Sequence, residues 1–438
     1  MSGDAGRPPG AASTPRMLRA LRHRNFRLFF CGQLLSLPGT WIQMVAQSWL
    51  IYRLTDSAVL LGLAGFANQF PVFLMAPLGG AVADRLDRRR LLVATQAASS
   101  VLALGLAALT LSGQVAVWQV FCLAALLGVV NGFDLPARQA FTVELVGRED
   151  LPNAIALNSS AFNAARLVGP AVAGVLVAAA GEGWCFLING VSYATVLAAL
   201  LAMRLTPLER PLHTGSLLTH ITDGVRFVRG HVAIRSLLLL LGMVSLAGMP
   251  YAVLMPVFAD RILGGGAAGL GILMSCAGGG ALVGALVLAA RPSPRGLGAW
   301  VPRAAFGFGL GLLAFSQSRS FWLSGLLLVP TGFAMMVQMA SSNTLLQLLV
   351  PDALRGRVMS LYSMMFMGMA PLGALLAGAL AGLLGAPGTV SAGGLLCMLA
   401  ALWFRRRLPQ IRAAVRGQGG GDQGQDSARD PARRESAA

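Results

Sequence analysis

Asn131, Asp134 and Arg138 stand three and four residues apart in a stretch that is otherwise apolar. A second apolar stretch holds one lone charge, Arg166. A carboxylate moved between wet and dry surroundings changes its proton affinity, so Asp134 is suited to taking up and releasing protons. A guanidinium near the middle of an apolar run costs roughly 3 kcal/mol or more and marks a functional position. Its expected partner is Asp134, with Arg138 as competitor, which makes Asp134, Arg138 and Arg166 the candidate proton-coupling set. A fixed ion pair between Asp134 and Arg138 is the alternative use of the same residues. Glu144 is a second carboxylate, expected at the membrane interface.

Polar stripes at helical spacing accompany these charges. Gln33, Ser36, Thr40, Gln43 and Gln47 follow one another at three and four residues, as do Ser159, Asn163, Arg166 and Pro170, and Met335, Gln338 and Ser342. Such spacing places each set on one helix face, and a polar face surrounded by lipid must turn toward protein or water. Gln33, Thr40, Gln43, Asn131, Asn163, Met335 and Gln338 are therefore candidate substrate contacts. Helix-to-helix bonding is the competing use of the amides. Methionines crowd residues 335–369, where flexible thioethers suit either promiscuous apolar binding or plain packing.

Other chemistries are excluded by residue type. The chain has no Lys, so no phosphate-binding loop of the G-x-x-x-x-G-K-[ST] kind exists. No HExxH or catalytic triad is present, and the five cysteines lie in apolar runs, far from the four histidines. Neither catalytic residues nor a metal or cofactor site is expected, and the chain does not read as an enzyme.

The elements that position the polar residues follow from composition. Hydrophobic residues make up 55% of 438, charged residues 12%, and mean hydropathy is +0.68. A spanning helix needs about 20 mostly apolar residues, and twelve such runs are present: 28–50, 58–82, 91–112, 116–136, 155–179, 184–203, 236–258, 268–290, 300–317, 321–343, 359–383 and 386–404. The excess of 34 basic over 17 acidic residues consists entirely of arginine. With the N-terminus inside, only Arg53, Arg261 and Arg319 fall in outer loops and only Arg166 deep within a span, Arg303 counting with the cytoplasmic end of its run. The positive-inside rule then places both termini in the cytoplasm, which requires an even number of spans. The charge excess is thus a topology signal, and no nucleic-acid partner is expected.

A polar stretch divides the twelve runs into two sets of six. The expected organisation is a cytoplasmic N-terminal segment (1–25), a six-helix bundle (26–204), a central cytoplasmic loop (205–235), a second bundle (236–404) and a disordered cytoplasmic tail (405–438). Within the loop, 216–229 reads as a short surface helix with Ile221, Val225 and Val228 on one face. A weak repeat crosses the divide: RLVGPAVAGVL at 166–176 aligns with APLGALLAGAL at 370–380, offset by 204. Gly169 and Gly174 match Gly373 and Gly378, and with Pro170 they are candidate helix-packing residues on the fifth helix of each half.

The loop after the second run reads GGAVADRLDRRR at 79–90. It resembles the G-x-x-x-D-R-x-x-R-R signature of the major facilitator superfamily, with Gly80, Asp84, Arg85, Arg88 and Arg89 at the matching positions. Gly80 would let helices approach closely, and Asp84 would cap a neighbouring helix or pair with an arginine. A contact of that kind, made in one state and broken in the other, sets a conformational balance. The segments 131–141, 151–174 and 350–364 resemble the branch holding siderophore and macrolide exporters. This resemblance implies an all-α membrane protein of twelve transmembrane helices in two pseudo-symmetric six-helix bundles. It further implies a monomeric multi-pass protein of the cell membrane that exports a drug, siderophore or secondary metabolite from the cytoplasm by proton antiport. A facilitator-type importer and a non-transporting receptor or scaffold are the alternatives. The partners implied are a small-molecule substrate, protons and the lipid bilayer.

Overall fold

Inside a bilayer no water is available to peptide groups, so long apolar runs must bond internally and become helices. A computed structural model describes residues 16–204, 217–291, 293 and 296–429. After a 3-10 turn (Arg16–Arg22) come α1 (Arg24–Thr55), α2 (Ala58–Arg85), α3 (Arg88–Leu111), α4 (117–146), α5 (148–180) and α6 (Glu182–Ala202). Then follow α7 (Leu217–Gly230), α8 (Val232–Ile262), α9 (Gly266–Ala289), α10 (Leu297–Gln317), α11 (Phe321–Leu349), α12 (352–384) and α13 (386–429).

Among the described residues, ten continuous helical stretches are long and apolar enough to cross a membrane. One of them, Val117–Ala180, is 64 residues long and would measure about 96 Å if straight, three times the hydrocarbon core. It doubles back at Gly147, where φ is 70°, and the last long helix doubles back at Gly385, also at φ 70°. Only glycine adopts such angles without strain. Each of these two stretches therefore crosses twice, and the twelve expected spans coincide with α1–α6 and α8–α13.

The repeat suggested by sequence has a structural counterpart. A Cβ on Gly169 would meet Trp41 of α1, and one on Gly373 would meet Leu246 of α8. Gly174 packs on Gly271 of α9, and Gly378 packs on Gly62 of α2. Each fifth helix thus lies against the first helix of its own half and the second helix of the other. The same offset of 204 separates Gly181 (φ 87°, ψ 170°) from Gly385 (φ 70°, ψ 166°), the turns that follow these helices.

Helix ends are fixed locally. Ser57 caps α2 by accepting from the Leu60 amide, and Asp87 caps α3 by accepting from the Arg90 amide. Helix α7 appears where a short surface helix was expected. Val225 and Val228 pack on the core, and the Ile221 side chain and residues 205–216 lie outside the described set. The apolar run ends near 404 as expected, but the helical backbone of α13 continues to Arg429 rather than becoming irregular at 405. Arginine and alanine in 405–416 favour helix on their own.

Both ends of the crossing sequence emerge on one face of the bundle, termed here the arginine-rich end; the other is the far end. One apolar cluster joins the halves at the far end, through Tyr52, Leu61, Val177, Leu254 and Leu270, and runs along the second half as far as Val358 and Phe404. At the arginine-rich end, the first half has its own separate core around Phe29, Leu92, Phe141 and Leu200.

Candidate functional site

Asp134 is 1% exposed and holds four donors. Thr95 Oγ1 and Gln96 Nε2, from α3, each donate to Oδ1 at 2.8 Å. Arg138, one turn along α4, donates through Nε at 3.0 Å and through Nη2 to Oδ2. Its third nitrogen, Nη1, donates to Gln33 Oε1 of α1. A buried carboxylate is tolerated when paired and fully hydrogen-bonded, and this network meets both conditions while tying α1, α3 and α4 together.

The expected Asp134–Arg166 pair does not form. Counted from the turn at Gly147, Arg166 lies about 9 Å deeper than Asp134, and Arg138 already occupies the carboxylate. Arg166 instead reaches across the junction of the halves. Its Nη2 lies 3.8 Å from Met335 Sδ of α11, and its guanidinium carbon is 5.9 Å from the Trp41 ring centre. Among the described residues no carboxylate pairs with it.

The polar stripes divide between binding helices together and facing the junction. Gln43 accepts from Asn189 of α6 at 2.6 Å, and Ser36 lies 3.2 Å from Ser192 of the same helix. Both are turned onto α6 rather than onto the central path, because a polar group in apolar surroundings pairs with the nearest partner available. Asn163 donates to its own helix at Ser159 O. Asn131 is half-buried, and Thr40 is exposed beside the Tyr193 hydroxyl. Met335 and Gln338 are buried on one face of α11, and among the described residues Gln338 Oε1 has no hydrogen-bond partner.

Contacts between the halves are concentrated toward the far end. Tyr52 of α1 donates to Asp260 of α8 at 3.1 Å, and Asp56 pairs with Arg261. Beside them, glycine meets glycine twice, at Gly62–Gly378 and Gly174–Gly271. Deeper in the bundle, Gly278 packs on the Arg166 carbonyl and Gly368 on Phe73. Beyond that level the faces part: Ala156, Ser160 and Ala164, on the α5 face that continues from Leu167, are exposed, as are Pro77 of α2 and Ser360 of α12. The far-end contacts form a latch, and helix α8 is irregular on its way to it, with π-turns at Val244–Gly248, beside α12, and at Phe258–Ile262, within the latch, and prolines at 250 and 256. Such irregular segments are frequent where helices bend to serve a site.

The arginine-rich loop between α2 and α3 is ordered by its own charges. Arg89 donates to the carbonyls of Leu200 and Leu201 at the end of α6, at 2.7 and 2.9 Å. Arg88 reaches Asp84 and Glu144, both at 3.5 Å, and the Ala140 carbonyl. Asp84 is therefore an exposed ion-pair partner, and the cap of α3 is Asp87. The close approach expected at Gly80 occurs at Gly79 instead, where a Cβ would stand 2.2 Å from Gly132 O of α4. A Cβ on Gly80 would meet nothing within 4 Å. The rotation of α2 turns Gly79 inward and leaves Gly80 and Asp84 toward the parted side.

Two groups carry no signal in a linear reading. The far-end latch joins residues more than 200 positions apart, and nothing in its composition announces it. The second group is Asp150, just outside the span of α5. It is held by Arg19, Arg22 and His23 of the N-terminal turn at 2.7–2.9 Å, with Asn153 accepting from the Ala20 amide. The His23 hydrogen bond, with Arg22 and Arg19 behind it, lowers the Asp150 pKa from the usual carboxylate range against the opposing effect of burial. A depressed folded-state pKa stabilises the anchor at all pH above the ordinary aspartate value of about 4, and that contribution is lost as pH falls through the folded value. Asp150→Asn is expected to expose residues 16–23 to trypsin at neutral pH, where the ionised Asp150 of the wild type holds them. Unchanged cleavage at Arg19 and Arg22 is the result that removes the anchor.

Comparison with known proteins places this geometry. A sequence profile described as "Transmembrane secretion effector" matches residues 16–418. The staphyloferrin A transporter of Staphylococcus aureus is 26% identical over 391 residues, covering 88% of this chain and 97% of that protein. The enterobactin exporter EntS of Escherichia coli is 25% identical over 403 residues, covering 90% and 96%. Among solved structures, the peptide transporter POT superposes with a TM-score of 0.72 at 13% identity, covering 91% of this chain and 99% of that one. The D-xylose-proton symporter superposes with a TM-score of 0.68 at 15% identity, covering 88% and 97%.

Proposed function

From the premise that the chain belongs to the transmembrane secretion effector family and has the major facilitator fold, we propose that it exports a small, partly apolar molecule from the cytoplasm by proton antiport with alternating access. The observation that carries this reading is the asymmetry of the junction, latched at the far end and parted at the arginine-rich end. The arginine excess supports assigning the parted end and both termini to the cytoplasm. In that orientation the present state is the one that loads cargo from inside, and rocking the halves about the level of Arg166 would deliver it outward. The names of two relatives, a staphyloferrin A transporter and an enterobactin exporter, support a siderophore or another secondary metabolite as the class of cargo.

Asp134 is the proposed proton carrier. Its anionic form holds Arg138, and its neutral form releases that charge, so protonation and the setting of α4 against α1 and α3 change together. Gln33, Asn131, Thr40, Asn163, Met335 and Gln338 are proposed to meet cargo in one state or the other, and Gln43 to position α1 on α6.

The test is reconstitution into liposomes containing a pH-sensitive dye, with an imposed pH gradient and a panel of 1-naphthoate, 1-naphthamide and Hoechst 33342. Antiport predicts that adding cargo drives protons in the direction opposite to cargo. Movement in the same direction would make the protein an importer, and no flux of any solute would make it a receptor. In the same assay, Asp84→Asn is expected to slow turnover several-fold while cargo affinity stays within about twofold, because Asp84 touches the loop and not the central path. Normal turnover with lost binding would contradict the switch role.

A further inference from the structure

We propose that Arg166 is the anchor for an anionic group of the cargo, so that the transported molecule carries a carboxylate or comparable anion on an apolar body. This rests on the transporter reading above and narrows its substrate class. The other charged groups buried in the described protein have counter-ions: Asp134 has Arg138, Asp150 has Arg19 and Arg22, and Glu182 has Arg53. Arg166 has none. Its surroundings are the Met335 thioether, the Trp41 ring and the buried Tyr251, on α11, α1 and α8. An arginine with a purely structural role deep in a bundle would have its partner built in, because an uncompensated buried charge is costly. Here the missing partner is at the junction of the two halves, and the side chain is only partly buried, on the level where the parted faces begin. A visiting anion would complete the pair with charge-assisted, bidentate hydrogen bonds, and the aromatic and thioether groups would cover its apolar part.

The experiment uses the full-length protein in phosphatidylcholine nanodiscs and measures binding of 1-naphthoate, the neutral 1-naphthamide and the cationic 1-naphthylmethylammonium by calorimetry. The wild type is expected to bind the carboxylate about tenfold or more tightly than either isostere, as one charge-assisted hydrogen bond implies. Arg166→Gln is expected to erase that preference, and Arg166→Lys, which keeps the charge, to retain part of it and to control for folding. Replacing a third of the lipid with phosphatidylglycerol is expected to leave naphthoate binding unchanged. Absence of any carboxylate preference in the wild type, or its survival in Arg166→Gln, overturns the proposal. So does loss of naphthoate binding to phosphatidylglycerol, which would assign the arginine to a lipid headgroup. Proton-coupled flux of the amide or the cation with no naphthoate preference would sink this inference while leaving antiport intact.

Discussion

Asp134→Asn is expected to reduce gradient-driven accumulation of cargo to equilibrium. One unit of pH gradient is worth about 1.4 kcal/mol per proton, which supports about a tenfold concentration ratio. A variant that cannot bind the proton loses all of it, and its residual flux should be flat between pH 6 and 8. The amide also keeps only one of the two acceptor oxygens and removes the charge that balances Arg138. Removing one member of a fully buried pair costs about 3–5 kcal/mol, but the Arg138 side chain is 28% exposed and water softens that loss. The single variant therefore confounds coupling with stability. Asp134→Asn combined with Arg138→Gln removes both charges and restores a neutral, hydrogen-bonded site. If the pair serves only as a brace, the double variant regains gradient-driven transport. If Asp134 carries the proton, the double variant regains thermal stability and stays uncoupled.

The residues differ in how far a linear reading could place them. The twelve crossings were legible because water exclusion forces every long apolar run into the same structure, whatever its partners. The two halves were legible from a faint glycine repeat, since Gly169 and Gly373, and Gly174 and Gly378, meet equivalent neighbours. The Asp134–Arg138 pair was legible as an i, i+4 spacing, but Thr95 and Gln96 were not, because their donors arrive from another helix. Arg166 stood out as anomalous, yet its assignment to Asp134 failed on depth, which spacing along two separate helices does not report. Gly79 and Gly80 differ only in the rotation of α2, and that is decided by packing against α4. The latch residues Tyr52, Asp56, Asp260 and Arg261 carried no local signal at all.

Gly62→Val and Gly271→Val are expected to open the far end while leaving the fold intact. A Cβ on Gly62 would stand 2.5 Å from Ala374 O and 2.7 Å from Gly378 Cα, and one on Gly271 would stand 2.4 Å from Pro170 O. These are backbone atoms and cannot turn aside, so the added groups penalise the closed seam by about 1–3 kcal/mol, or roughly five- to 150-fold in population. Under the proposed alternating access the two halves separate at this seam in the opposite state, so the side chain would face open space and the penalty would not apply. Spin labels at Thr55 and Leu263, flanking the latch, should therefore report a wider separation, with turnover reduced and the melting midpoint near that of the wild type. Gly79→Val provides the contrast. Its Cβ would stand 2.2 Å from Gly132 O within one half, where no alternative state relieves the clash, so it should lower stability and leave the label separation unchanged. If Gly62→Val instead behaves like Gly79→Val, losing stability with no widening, the seam between the halves is static and alternating access through it is wrong.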